Sequence, residues 1–167
     1  VIDMDENSSL GENIGADLAT DKTIYQVLKA QCSINDAIQH HRLFDVIVGS
    51  KSLSKAPIEF IERDDVYLLA DIISLINDEY DYIFIDNAPS RSVLLTMTEI
   101  AADYVVIPTM ADSASIKLVY EMEEDVYKLV NSRNKESHAE IIGYLLNFYR
   151  RSNMYDIAFE QLSDHIK

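Results

Sequence analysis

The chain has 167 residues, 29 Asp and Glu against 14 Lys and Arg, 48% hydrophobic residues, four Gly, three Pro, one Cys and no Trp. That length admits one domain with a real core. The scarcity of Gly and Pro excludes a collagenous or disordered chain and argues against an all-β fold of tight turns, and a lone Cys32 excludes an internal disulfide framework and fits a reducing compartment. A formal charge of −15 repels phosphate backbones at long range, so the chain taken whole is a poor nonspecific DNA binder.

Five segments are apolar almost without interruption: 1–2, 44–48, 82–85, 104–107 and 141–146. Strands buried on both faces read this way, whereas half-exposed antiparallel strands alternate, so the runs predict a mostly parallel sheet covered by helices. Helix-period segments lie between them. Thr23 and Ser33 are placed to cap helices over 23–29 and 33–41, and Ser54 to cap one running to 61. The segment 66–77 sets Leu68, Leu69, Ile72, Ile73 and Ile76 on one stripe that should pack on the sheet. Further helices are expected over 90–102, 115–130 and 153–166. Strands alternating with helices predict right-handed crossovers and an α/β fold of about five strands with helices on both faces, forming one domain over 1–167. No run reaches the roughly 18 to 20 apolar residues that a membrane span needs.

In open parallel sheets ligands bind beyond the carboxyl ends of the strands. The first strand ends in Asp3-Met4-Asp5, the third in Asp86-Asn87-Ala88-Pro89-Ser90, the fourth in Pro108-Thr109-Met110, and the last near Asn147. Two carboxylates leaving neighbouring strands at one edge can share a hard cation such as magnesium, directly or through water, and orient a water for attack on phosphate. Asp5 and Asp86 are that pair. A glycine-rich phosphate cradle is absent: Gly49-Ser50-Lys51-Ser52 keeps a Gly-x-Lys-Ser core but lacks the leading glycine and the loop, and reads as a loop and helix cap. The four histidines show no metal spacing, and neither a nucleophile elbow nor a catalytic setting for Cys32 exists.

The order of motifs resembles the ParA and MinD group of P-loop ATPases, above all the ParA partitioning proteins. The matching runs are Val1-Ile2-Asp3-Met4-Asp5 with Gly11, then Tyr80-Asp81-Tyr82-Ile83-Phe84-Ile85-Asp86-Asn87-Ala88-Pro89-Ser90. Ala101-Ala102-Asp103-Tyr104-Val105-Val106-Ile107-Pro108 and Ile142-Gly143-Tyr144-Leu145-Leu146-Asn147-Phe148-Tyr149-Arg150-Arg151 complete the set. The resemblance implies a three-layer P-loop fold, with ATP and Mg2+ as cofactors. It matches Asp5 to the second aspartate of an Asp-x-Asp motif and Asp86 to the Walker B aspartate. Pro108 and Thr109 fall in a loop near the nucleotide, and Asn147 where relatives contact the base. It further implies an ATP-dependent homodimer, a ParB-like partner, nonspecific DNA binding through the parent protein, and a cytoplasmic, nucleoid-associated location without membrane attachment.

Three departures stand out. Glu6-Asn7 replaces the family's Pro-Gln, Ala88 stands where a second Pro is common, and Thr109-Met110-Ala111-Asp112 lacks a Gln-containing segment. The family's first strand, its Lys-Gly-Gly-Val-Gly-Lys-Thr loop and its final strands would fall outside 1–167, so the resemblance implies an internal piece of a longer polypeptide, inactive alone. Two other readings are a noncatalytic relative that positions a partner, and a phosphoacceptor receiver domain using Asp3, Asp5, Asp86 and Thr109. The long stretch between Asp5 and Asp86 and the lack of a Lys at the last strand's end count against the receiver.

Overall fold

The computed structural model describes residues 1–88, 90–133, 135–148 and 153–163; Arg150, Arg151, His165 and the end of the helix expected over 153–166 lie outside them. The chain divides into two compact units, 1–101 and 102–167.

The first unit is built around β1 (Ile2–Asp3), whose residues are both buried. On one side β1 pairs parallel with β4 (Ile85–Asp86), in the register Ile2 to Ile85 and Asp3 to Asp86. On the other, Ile2 bridges Ile47 in parallel, with Asp3 N–H donating to Ile47 O at 2.9 Å and Ile47 N–H to Val1 O at 2.9 Å. The apolar runs 1–2, 44–48 and 82–85 therefore meet side by side, as sequence predicted, with the first in the middle. Helices α1 (Ser9–Ile14), α2 (Ile24–Leu28), α3 (Ile34–Ala37), α4 (Ala56–Glu59), α5 (Leu68–Ser74) and α6 (Val93–Ala101) complete the unit. Leu69 and Ile76 join Ile2, Met4, Ile24, Leu53 and Met97 in its core, and Leu68, Ile72 and Ile73 pack against that cluster. This is the stripe that helical periodicity marked.

Three helix expectations need correction. Ser33 does cap α3, its Oγ accepting from Asp36 N–H at 3.2 Å, but the helix stops at Ala37 rather than reaching 41. Ile38 turns extended, and β2 (Gln39–His40) pairs antiparallel with β3 (Asp45–Val46), so ladder hydrogen bonds override local helix pattern. Thr23 precedes α2 without making a side-chain cap bond; its hydroxyl instead meets Gln26 Oε1 at 2.5 Å. Ser54 caps no helix: it lies within a 3-10 turn over Lys51–Lys55, its Oγ donating to Lys51 O at 2.7 Å, and the turn runs into α4, which ends at Glu59 rather than 61.

The β2–β3 pair carries a polar cluster. Tyr80 donates to Asp45 Oδ2 at 2.8 Å, and His40 Nδ1 lies 2.9 Å from Asp45 Oδ1. Burial works against the Asp45 carboxylate, but the bonds from Tyr80 and His40 outweigh it and hold its pKa below the usual range. Burial, followed by the Asp45 partner, pushes the Tyr80 phenol up from 10.0 to about 12. A raised native pKa means that the folded chain keeps a proton the unfolded chain releases. The contribution is full below pH 10 and is lost as pH rises through about 12. Urea midpoints are expected to fall less steeply across that window in Tyr80→Phe than in the parent; equal slopes would remove Tyr80 from the alkaline transition.

The second unit pairs β5 (Tyr104–Thr109) with β6 (Glu140–Leu146) in parallel, with a register shift between Val105 and Val106. Helix α7 (Ser113–Val130) starts two residues earlier than expected because Asp112 caps it, accepting from Ala114 and Ser115 N–H at 3.0 and 2.9 Å. Helix α8 spans Asn153–Ser163. Ile107 of β5, Ile116 and Val119 of α7, and Ala158 and Leu162 of α8 form the core of this unit, and Tyr144 of β6 donates to Glu123 of α7. Tyr104, Val106, Ile142 and Leu145 are exposed, so these strands are not covered on both faces within the described residues. The chain is thus an α/β fold with parallel strand pairs, as the apolar runs predicted. No described helix is long and apolar enough to cross a membrane.

Candidate functional site

In the first unit, the parallel register sets Asp3 and Asp86 on the same rung, and Met4 N–H donates to Asp86 O at 2.8 Å. Asp5 follows two residues later, at the carboxyl end of β1 and therefore at the same rim as Asp86. The two carboxyl groups feel one another: burial first, and then the Asp5 charge, raise the Asp86 pKa, while the Asn87 N–H opposes the shift. Asp5 Oδ1 accepts from Asn7 N–H at 3.0 Å and Asn7 Nδ2 at 3.1 Å, so Asn7 folds the loop back onto that carboxylate.

Asp3, which sequence reasoning used only in the receiver reading and left out of the cation pair, belongs to the same Asp-x-Asp run. It is fully buried; Oδ1 accepts from Asp5 N–H at 3.0 Å, and Oδ2 has no hydrogen-bond partner among the described residues. Burial raises its pKa, with the Asp86 and Asp5 charges adding and the Asp5 and Gly11 amides opposing. A second residue missed was Thr98 of α6, whose hydroxyl lies 2.9 Å from Asn87 Oδ1 and ties the residue after Asp86 to the helix.

Pro108, Thr109 and Asn147 belong to the second unit. The ends of β5 and β6 bring Thr109 and Asn147 together, with Asn147 N–H donating to Thr109 O at 2.8 Å. Thr109 is buried and Pro108 exposed. Asn147 is exposed, its Oδ1 accepts from Phe148 N–H at 2.8 Å, and Tyr155 of α8 donates to its carbonyl at 2.8 Å.

Hard-cation chemistry fits the first cluster. Carboxylate oxygens are the donors that magnesium prefers, a cation would relieve the mutual repulsion of Asp5 and Asp86, and Asp3 leaves an oxygen unpartnered behind them. Among the described residues no three His, Cys, Asp or Glu side chains are grouped to hold a metal alone. A cation there would complete its shell with water and phosphate oxygens.

Residues 1–139 match the AAA domain family. The chain is also 32% identical over 116 residues to the chromosome-partitioning ATPase Soj of Treponema pallidum, covering 67% of this chain and 45% of that one. The chain belongs to the ParA/MinD-like P-loop ATPases. Among solved members, a plasmid partition protein of Borrelia burgdorferi bound to AMPPNP superposes with a TM-score of 0.82 at 25% identity, over 97% of this chain and 66% of that one. Cobyrinic acid a,c-diamide synthase of Mycobacterium smegmatis, with bound ADP and magnesium, shares the fold, with a TM-score of 0.87 at 18% identity, over 98% of this chain and 67% of that one. The chain spans between 36% and 64% of the length of the curated relatives it matches first. Family membership removes the receiver-domain reading.

Proposed function

We propose that this chain supplies the acidic side of a ParA-type, magnesium-dependent ATP site that works as a nucleotide switch in plasmid or chromosome segregation. The observation that carries the reading is the shared rim: Asp86 is the rung partner of Asp3, and the Asp5 charge acts on the Asp86 carboxyl. Asp5 and Asp86 would hold the magnesium, largely through water. When bound, that ion supplies charge neutralisation on the phosphates. The chain's own residues set where it sits: Asp3 anchors the Asp5 amide from below, and Thr98 fixes Asn87 beside Asp86. For Pro108, Thr109 and Asn147, which belong to the second unit, a role in nucleotide contact rests on the resemblance alone. The 1–167 sequence has no glycine-rich lysine loop, and the reading requires the main phosphate contacts to be supplied by a longer polypeptide, as the resemblance implies. ATP-dependent dimerisation, a ParB-like partner and a cytoplasmic, nucleoid-associated location belong to that polypeptide. So does DNA binding, which the −15 charge of this chain opposes.

The test has two arms. Pure residues 1–167 should release no phosphate from Mg-ATP above background, whereas a polypeptide joining this chain to a glycine-rich lysine loop should hydrolyse it slowly and sediment as a dimer only with ATP. Turnover by residues 1–167 alone would overturn the division of labour, and a joined polypeptide that is inert would overturn the ATPase.

One observation favours a second reading, a noncatalytic relative that positions a partner. Asn7, standing where the family carries Gln, engages Asp5 Oδ1 with both its backbone and its side chain. ATP-dependent dimers that form without any phosphate release would select this reading.

A further inference from the structure

The run Gly49-Ser50-Lys51-Ser52 looks faintly like a phosphate loop, and the proposed site gives it no work. It follows the segment that pairs with β1 on the side away from β4. Gly49 is buried, and a Cβ built on it would fall 2.2 Å from Asp5 O and 3.0 Å from both Asp3 O and Ser8 Oγ. Its φ lies outside the left-handed region, so close approach, not conformational freedom, demands glycine here. The nearest of these atoms, Asp5 O, and Asp3 O are backbone carbonyls, which do not swing aside like a side-chain tip.

Both sides of this contact are tied down. Asp5 O accepts from Ser8 N–H at 3.2 Å, and Ser8 sits at φ 50 with its Oγ buried. Behind Gly49, Ser50 Oγ lies 3.1 Å from Thr23 Oγ1, Ser50 O accepts from Leu53 N–H at 2.9 Å, and Val48 O accepts from Ile24 N–H at 3.0 Å. Residue 49 has little room to recoil, so added bulk must displace the loop that carries Asp5.

We propose that Gly49 is a positioning residue for Asp5: its bare Cα seats the 3–8 loop against the sheet, and the Ser50–Thr23 contact holds Gly49 in place. The inference rests on the ATPase reading for its consequence in turnover, and on the contact alone for its consequence in the loop. A misplacement of about 1 Å at a group that orients water or metal can cost roughly a hundredfold in rate while ground-state nucleotide contacts survive.

Gly49→Ala and Ser50→Ala are made both in residues 1–167 and in the ATP-hydrolysing polypeptide. In nucleotide-free residues 1–167, amide exchange is expected to quicken at Ser8 by about tenfold or more in Gly49→Ala, with α7 amides unchanged. In the polypeptide, kcat should drop by about tenfold or more with KM for ATP within about twofold, and Ser50→Ala should give a smaller loss of kcat, about two- to fivefold, at unchanged KM. Unchanged Ser8 exchange, wild-type kcat, or a KM that rises in step with the loss of kcat overturns the proposal. Should Gly49→Ala not fold, Ser50→Ala decides by the same criteria. A wild-type polypeptide without turnover sinks the ATPase reading instead, and the Ser8 exchange then judges Gly49 separately.

Discussion

Replacing Asp86 by Asn in a polypeptide that joins this chain to a glycine-rich lysine loop is expected to lower turnover at saturating Mg-ATP by at least about a hundredfold, close to 3 kcal/mol of transition-state stabilisation. The substitution keeps the size of the side chain and leaves the β1–β4 ladder intact, because Met4 N–H bonds the Asp86 carbonyl and not its side chain. What disappears is one of the two charges at the rim. Phosphate release measured against magnesium concentration reports it: the half-saturating magnesium should rise as kcat falls. Turnover within about threefold of the parent would remove Asp86 from the site and with it the shared-cation account of Asp5 and Asp86.

The second large effect concerns the platform beneath the site. Leu69 of α5 is fully buried in the core of the first unit, with Ile2, Met4 and Met97 in the same cluster. Leu69→Ala is expected to cost about 2 to 5 kcal/mol in urea denaturation, the transfer free energy of the lost methyl groups plus the cavity they leave. Leu75, just past the same helix and 72% exposed, supplies the control: Leu75→Ala should stay within about 0.5 kcal/mol. Equal losses from the two would mean that α5 does not bury the face assigned to it.

Much of this arrangement was readable from residue order. The stripe on α5 follows from 3.6-residue spacing and needs no partner to be recognised. Each of the five apolar runs contributes to a strand or bridge, since a segment apolar on both faces has few other stable places. That Asp5 and Asp86 leave strands at one rim follows from parallel pairing, where all carboxyl ends point the same way. Features that depend on partners far along the chain were not readable. The helix expected over 33–41 stops early because Asp45 and Val46 offer ladder bonds to Gln39 and His40. The spacing of Asp3 did not show that its neighbours close over it and leave it fully buried. Gly49 was read as a loop residue, because nothing in its own surroundings says that the carbonyls of Asp3 and Asp5 lie against it.

Residue order alone determined the alternation of strand and helix, the acidic strand ends and the absence of a phosphate-cradling loop, because each is a local property of spacing and side-chain chemistry. Only tertiary structure decided that β1 lies between the 45–47 segment and β4, that Asp3 shares a rung with Asp86, and which glycine must stay bare. Those outcomes depend on hydrogen-bond register and close packing between segments some 40 to 80 residues apart, where a shift of one residue moves every side chain to the opposite face of the sheet.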